Sequence, residues 1–138
     1  MNFVFVYGSL KKGFGNHRLL VESELICEAV TLDSKYNMRS CGGFPGVHSN
    51  GENRISGELY SVDDITFESL DRLEGNGHFY NREEVFLVST SQPAMKPYKA
   101  WMYLLREDYP FSKDDLGRID NSNDKLNCQK WINQVNAY

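Results

Sequence analysis

The sequence predicts an α+β domain built on a mainly antiparallel, barrel-like sheet. Three observations carry this reading. Apolar segments of strand length recur along the chain, one well-punctuated helix lies between them, and regular strand–helix alternation is scarce. At 138 residues the chain suits one domain, and 41% hydrophobic and 13% aromatic residues can fill a core. We read 1–138 as that single domain, with 107–138 as a C-terminal extension.

The elements follow in order. Asn2–Tyr7 is apolar on both faces, Phe3/Phe5/Tyr7 against Val4/Val6, and reads as a strand buried on both sides. Gly8 to Gly15 is a glycine-punctuated loop, after which Asn16 caps a short helix through Leu20. Leu25–Leu32 and Lys35–Arg39 read as strands. Cys41 to Gly46 is a loop in which Pro45 is most simply a turn residue, and Asn50-Gly51 is a turn signal. Ile55–Val62 is a strand. Asp63–Leu73 is a helix opened by Asp63 or Asp64 and stopped by Gly75. Tyr80–Ser89 and Tyr98–Leu105 are strands, the second apolar on both faces. Leu126–Val135 reads as a terminal helix with a partial apolar stripe.

Composition narrows the function classes. Fifteen Lys and Arg against nineteen Asp and Glu leave a net charge of −4. Nucleic acid and anionic membrane surfaces both require basic excess, so neither is expected as a partner. No apolar run is long enough to span a bilayer, and the N-terminus lacks the pattern of a secretory signal. Cys27, Cys41 and Cys128 are odd in number without CxxC spacing, which fits reduced thiols in a cytoplasmic protein. The scattered histidines and cysteines predict no structural metal site.

One residue stands apart from local expectation. Phe67, Leu70 and Glu74 follow i, i+3, i+7 spacing and share the buried helix face. Burial and the negative end of the helix dipole would both raise the Glu74 pKa, as suits an acid–base catalyst. The other reading is a solvated Glu74, or one paired with Arg72 or Arg82. Upstream, successive amides in Gly8-Ser9-Leu10 can form an anion-binding concavity, with Lys11 and Lys12 adding positive potential. Known phosphate loops do not fit. Phe14 stands where a Walker A loop needs Lys, and GxGxxG fails at its last position.

Taken together, Phe3-Val4-Phe5-Val6-Tyr7-Gly8-Ser9-Leu10-Lys11-Lys12-Gly13 with Asn16-His17-Arg18-Leu19-Leu20 resembles the γ-glutamylcyclotransferase superfamily, most nearly its γ-glutamylamine cyclotransferase branch. Gly57-Glu58-Leu59-Tyr60-Ser61-Val62, Leu70-Asp71-Arg72-Leu73-Glu74-Gly75 with Tyr80-Asn81-Arg82, and Ala100-Trp101-Met102-Tyr103 extend the likeness over about residues 3 to 105. The resemblance implies a small mixed β-barrel with flanking helices and a cavity. It implies a loop, Tyr7 to Leu10, that binds a small γ-glutamyl substrate through its backbone, and Glu74 as acid/base. The implied reaction eliminates an amine and leaves 5-oxoproline, without metal or cofactor. Ser9 stands where the family commonly has Thr and keeps the hydroxyl; 107–138 lies outside the likeness.

Neighbouring residues join the candidate site with plainer roles beside them. Tyr80 and Arg82 line the cavity or anchor the carboxylate, or are a strand-start tyrosine and a surface arginine. Tyr103 offers a hydroxyl or is a core aromatic, and Asn16 is a cap first and a substrate contact second. The expected enzyme is a γ-glutamylamine cyclotransferase. The alternatives are the same chemistry on γ-glutamyl amino acids or glutathione, and a binding module without turnover.

Overall fold

The computed structural model describes residues 1–41, 44–77, 79–93, 96–106, 119–123 and 128–132. The strands are β1 (Asn2–Val6), β2 (Glu24–Thr31), β3 (Tyr36–Ser40), β4 (Pro45–Val62), β5 (Tyr80–Ser89), β6 (Tyr98–Leu105), β7 (Ile119–Asn123) and β8 (Cys128–Trp131). Among the described residues one helix, α1 (Asp64–Glu74), and a 3₁₀ turn (His17–Leu20) join them.

The sheet runs β1-β6-β5-β2-β4-β8-β7, with β3 on β4. Because β1 also pairs with β4, the circuit β1–β6–β5–β2–β4 returns to its start. Most pairings are antiparallel; β1 with β6 and β4 with β8 are parallel.

Two cores explain why β1 and β6 are apolar on both faces. Phe5, Ala100, Met102 and Leu104 join one cluster with Leu59, Leu87 and Trp131. Val4, Val6, Tyr103 and Leu105 join the other with Phe67 and Leu70 of α1. Successive side chains on a strand alternate between faces, so each strand feeds both clusters. Burial of Phe67 and Leu70 contributes roughly 1.5–3 kcal/mol each and fixes which face of α1 looks inward.

α1 is capped at both ends. Asp63 Oδ1 accepts from Thr66 N at 2.7 Å. Gly75 takes φ +59°, a left-handed conformation that glycine adopts without strain, and Asn76 N then reaches Asp71 O at 2.9 Å.

Three expectations are corrected. Asn50-Gly51 makes no hairpin. It lies inside β4, in a bulge where Asn37 pairs with His48 and Tyr36 with Asn53, so residues 49–52 face no partner on β3. Asn16 makes no side-chain cap, and the segment after it is 3₁₀ rather than α. Cys128–Trp131 is a strand where a helix over Leu126–Val135 was expected. Its parallel pairing with β4 and the Gln129 side chain, which accepts from Met38 N at 2.7 Å, outweigh a weak stripe. Residues 126–127 and 133–135 of that expectation lie outside the described residues. No helix among the described residues is long and apolar enough to cross a membrane.

Candidate active site

A cavity of about 490 Å³ opens where β1 leaves the sheet and α1 ends. Tyr7, Gly8, Ser9, Leu10 and Asn16 line it together with Glu74, Tyr80 and Tyr103; Phe44, Pro45, Leu73 and Phe79 also contribute. Among the described residues no group of three His, Cys, Asp or Glu side chains is placed to hold a metal.

The first loop is held open by its own turns. Lys11 N donates to Gly8 O at 3.1 Å and Asn16 N to Ser9 O at 2.9 Å. Asn16 Nδ2 donates to Ser9 Oγ at 2.8 Å, and His17 Nδ1 lies 3.0 Å from Leu10 O. The amides of Gly8, Ser9 and Leu10 donate to no protein acceptor among the described residues. Buried amides are ordinarily paired, so three in a row beside a cavity form a donor set for a ligand. Gly8 is required by close approach. A Cβ there would stand 2.7 Å from Pro45 Cγ.

Glu74 ends α1 on the face set by Phe67 and Leu70 and enters the cavity. No hydrogen bond or ion pair reaches its carboxyl among the described residues. Burial pushes its pKa from 4.5 to about 7. The side chain is half-buried by surface exposure, as befits a group deep in a cavity that opens to solvent.

The tyrosines are anchored around it. Tyr7 Oη donates to Tyr103 O at 2.7 Å, and Tyr80 Oη to Pro45 O at 2.9 Å. Tyr103 Oη donates to Asp71 Oδ1 at 2.6 Å. Burial holds the Tyr7 and Tyr103 hydroxyls well above their usual pKa, and the charge of Glu74 adds to the effect at both.

Eight of the nine expected site residues thus line one cavity: Tyr7, Gly8, Ser9, Leu10, Asn16, Glu74, Tyr80 and Tyr103. Arg82 is not among its lining. It shares a strand face with Tyr80, but two residues along β5 carry it under α1, over the rings of Phe67 (4.2 Å) and Trp101 (4.7 Å). Its Nε lies 3.1 Å from Asp71 Oδ1, so it pairs with Asp71 rather than with Glu74. Lys11 does not face the cavity either. It is buried, and its Nζ donates to Trp131 O. Sequence reasoning missed Phe44, Pro45, Leu73 and Phe79 as lining residues, and Asp71 as an anchor. Leu73 and Phe79 flank the capped helix end and were within reach of the same argument. Pro45 and Asp71 act through contacts 35 and 32 residues distant, which no local pattern encodes.

Comparison with known proteins bears on this site. The family described as γ-glutamyl cyclotransferase, AIG2-like, matches residues 4–131, and so reaches through β8. A Methanocaldococcus jannaschii protein, provisionally named a γ-glutamylcyclotransferase, is 39% identical over 109 residues, 78% of this chain and 87% of the relative. A γ-glutamylcyclotransferase family protein of Escherichia coli is 36% identical over 103 residues, 73% of this chain and 80% of the relative. The crystal structure of an AIG2-like protein from Mus musculus superposes with a TM-score of 0.70 over 99% of both chains at 19% identity, a likeness of fold.

Proposed function

The chain belongs to the γ-glutamyl cyclotransferase, AIG2-like family, and from that premise we propose that it cleaves γ-glutamylamines to a free amine and 5-oxoproline. The observation that carries this reading is one cavity holding Glu74, with its pKa near 7, and the amides of Gly8 to Leu10, all without a partner among the described residues.

The chemistry follows from those two features. An α-ammonium cannot attack until it loses a proton, and α-amino groups titrate near about 8, close to Glu74. The Glu74 carboxylate takes that proton. The freed nitrogen attacks the γ-carbonyl carbon, forming the C–N bond of a five-membered ring. The bond from that carbon to the departing nitrogen then breaks as Glu74 returns the proton to it, and the released amine takes up the second proton that the ring nitrogen sheds in becoming the lactam N–H. Ring closure is intramolecular, so the cavity mainly has to hold the chain folded. The 8–10 amides supply donors for the substrate's negative charge.

The rim favours an amine over a peptide-like leaving group. Among the described residues the lining has no Lys or Arg to meet another nearby carboxylate, and Phe44, Leu73 and Phe79 are apolar and exposed. The test is release of 5-oxoproline from γ-glutamyl-ε-lysine, compared with γ-glutamyl amino acids and glutathione. Turnover fastest on γ-glutamyl-ε-lysine supports the proposal. Fastest turnover on glutathione would move the substrate class, and binding without product across the panel would overturn the enzymatic reading.

A further inference from the structure

Asp71 lies one helical turn before Glu74 and touches the cavity only through another residue. A phenol has one proton to give and two lone pairs that accept. The three cavity tyrosines have all given theirs away, Tyr7 and Tyr80 to backbone carbonyls and Tyr103 to Asp71. A carbonyl is an acceptor under all conditions. An ionised carboxylate carries no proton and can only accept, so the Tyr103 proton points to Asp71. Arg82 pairs with the same carboxylate. Its Nε stands 3.1 Å from the oxygen that accepts from Tyr103, and two aromatic rings hold its guanidinium in place. The 2.6 Å contact is the short bond expected when the acceptor is charged.

With its proton given to Asp71, Tyr103 Oη keeps its lone pairs, and Tyr103 lines the cavity together with Glu74. Glu74 of α1 and Tyr103 of β6 thus bring acceptors to the cavity that the amide donors of residues 8–10 also line. A ligand carrying both an ammonium and a carboxylate finds a partner for each. We propose that Asp71, held by Arg82, is a positioning residue that fixes Tyr103 Oη as a hydrogen-bond acceptor for the substrate's α-ammonium. This rests on the γ-glutamyl reading of the cavity.

Two probes differing only in the α-ammonium test it: γ-glutamyl-ε-lysine and glutaryl-ε-lysine, titrated calorimetrically into the Glu74→Gln protein, in which the reaction is blocked. The amino-bearing probe should bind about tenfold or more tightly, as expected of a hydrogen bond to a charged group. Adding Asp71→Leu, or Tyr103→Phe, should bring that preference to about threefold or less, leave the glutaryl affinity nearly unchanged, and give no further loss when combined. Tyr103→Phe preserves the packing and serves if the leucine variant does not fold. Equal affinity for the two probes before either substitution overturns the proposal. So does a preference that survives Tyr103→Phe, an equal loss for both probes, or losses that multiply. Turnover by the unsubstituted protein reports separately on the γ-glutamyl reading, since the binding contrast does not require it.

Discussion

Glu74 and Lys11 are two buried ionisable groups with opposite fates. Burial shifts both toward neutrality, Glu74 up to about 7 and Lys11 down from 10.5 to about 8. Lys11 is 3% exposed, donates to Trp131 O and lies 4.8 Å from the centre of the Phe14 ring. Its charge has a fixed partner and no route to a ligand. Glu74 has no partner among the described residues and faces a cavity. A perturbed pKa therefore does not by itself mark a working group. What separates the two regions is whether the charged atom is already satisfied and whether a substrate can reach it.

The largest test of that contrast removes the Glu74 carboxylate. Glu74→Gln should fold and lose roughly 10²–10⁴-fold in turnover, the usual worth of general acid–base catalysis, read as 5-oxoproline release. Without that substitution, kcat/KM should rise about tenfold per pH unit on its acid limb and level off near pH 7, because the carboxylate is the active form. Stability moves the other way. Between 4.5 and about 7 the folded protein holds a proton that the unfolded chain has lost, so stability falls as pH rises through that window. The loss is at most about 3 kcal/mol, reduced by solvent at the cavity mouth. Glu74→Gln should lack it, melting higher than the parent at pH 8 and alike at pH 4. Equal melting at both pH values would place the carboxyl in water.

A second test narrows the cavity at the 8–10 loop. Gly8→Ala puts a methyl group 2.7 Å from Pro45 Cγ, between two lining residues. Pro45 is braced by Tyr80 Oη on its carbonyl, so the loop has to move instead. The expected result is a rise in KM of about tenfold or more, with a stability cost of about 1–3 kcal/mol typical of overpacking. Unchanged KM would remove the 8–10 loop from substrate binding.

How much of this was legible beforehand depends on the range of the contacts. The bounds of β5 and β6, and the caps of α1 at Asp63 and Gly75, follow local rules and were readable to the residue or nearly so. Glu74 was readable because helix spacing tied it to Phe67 and Leu70. The first half of β4 was not, since Asn50-Gly51 signals a hairpin locally and only pairing with β3 makes it a bulge. β8 was not, because it depends on a parallel partner some seventy residues upstream. Arg82 was placed on the right strand face but one step too near the cavity, as alternation gives a face and not a distance. Lys11 read as positive potential beside the loop; its partner at Trp131 is 120 residues away.

That long-range partner supports the smallest and most discriminating prediction, Lys11→Met. Two effects oppose each other at pH 7. Losing the ammonium removes its hydrogen bond to Trp131 O, which costs about 1–3 kcal/mol, while a buried charge with a depressed pKa is itself unfavourable by a similar amount. Net stability should change little, within about 1 kcal/mol. The pH dependence should change more visibly. Burial, with Lys130 adding repulsion and Glu58 and Glu28 opposing it, lets the folded protein release this proton near 8 while the unfolded chain keeps it to 10.5. Parental stability should therefore rise relative to Lys11→Met between pH 8 and 10, the tyrosines titrating alike in both. Turnover should stay within about threefold, since Lys11 holds the C-terminal strand and not the substrate. A loss of turnover on the scale of Glu74→Gln would show that the two buried charges serve one site and would erase the distinction between them.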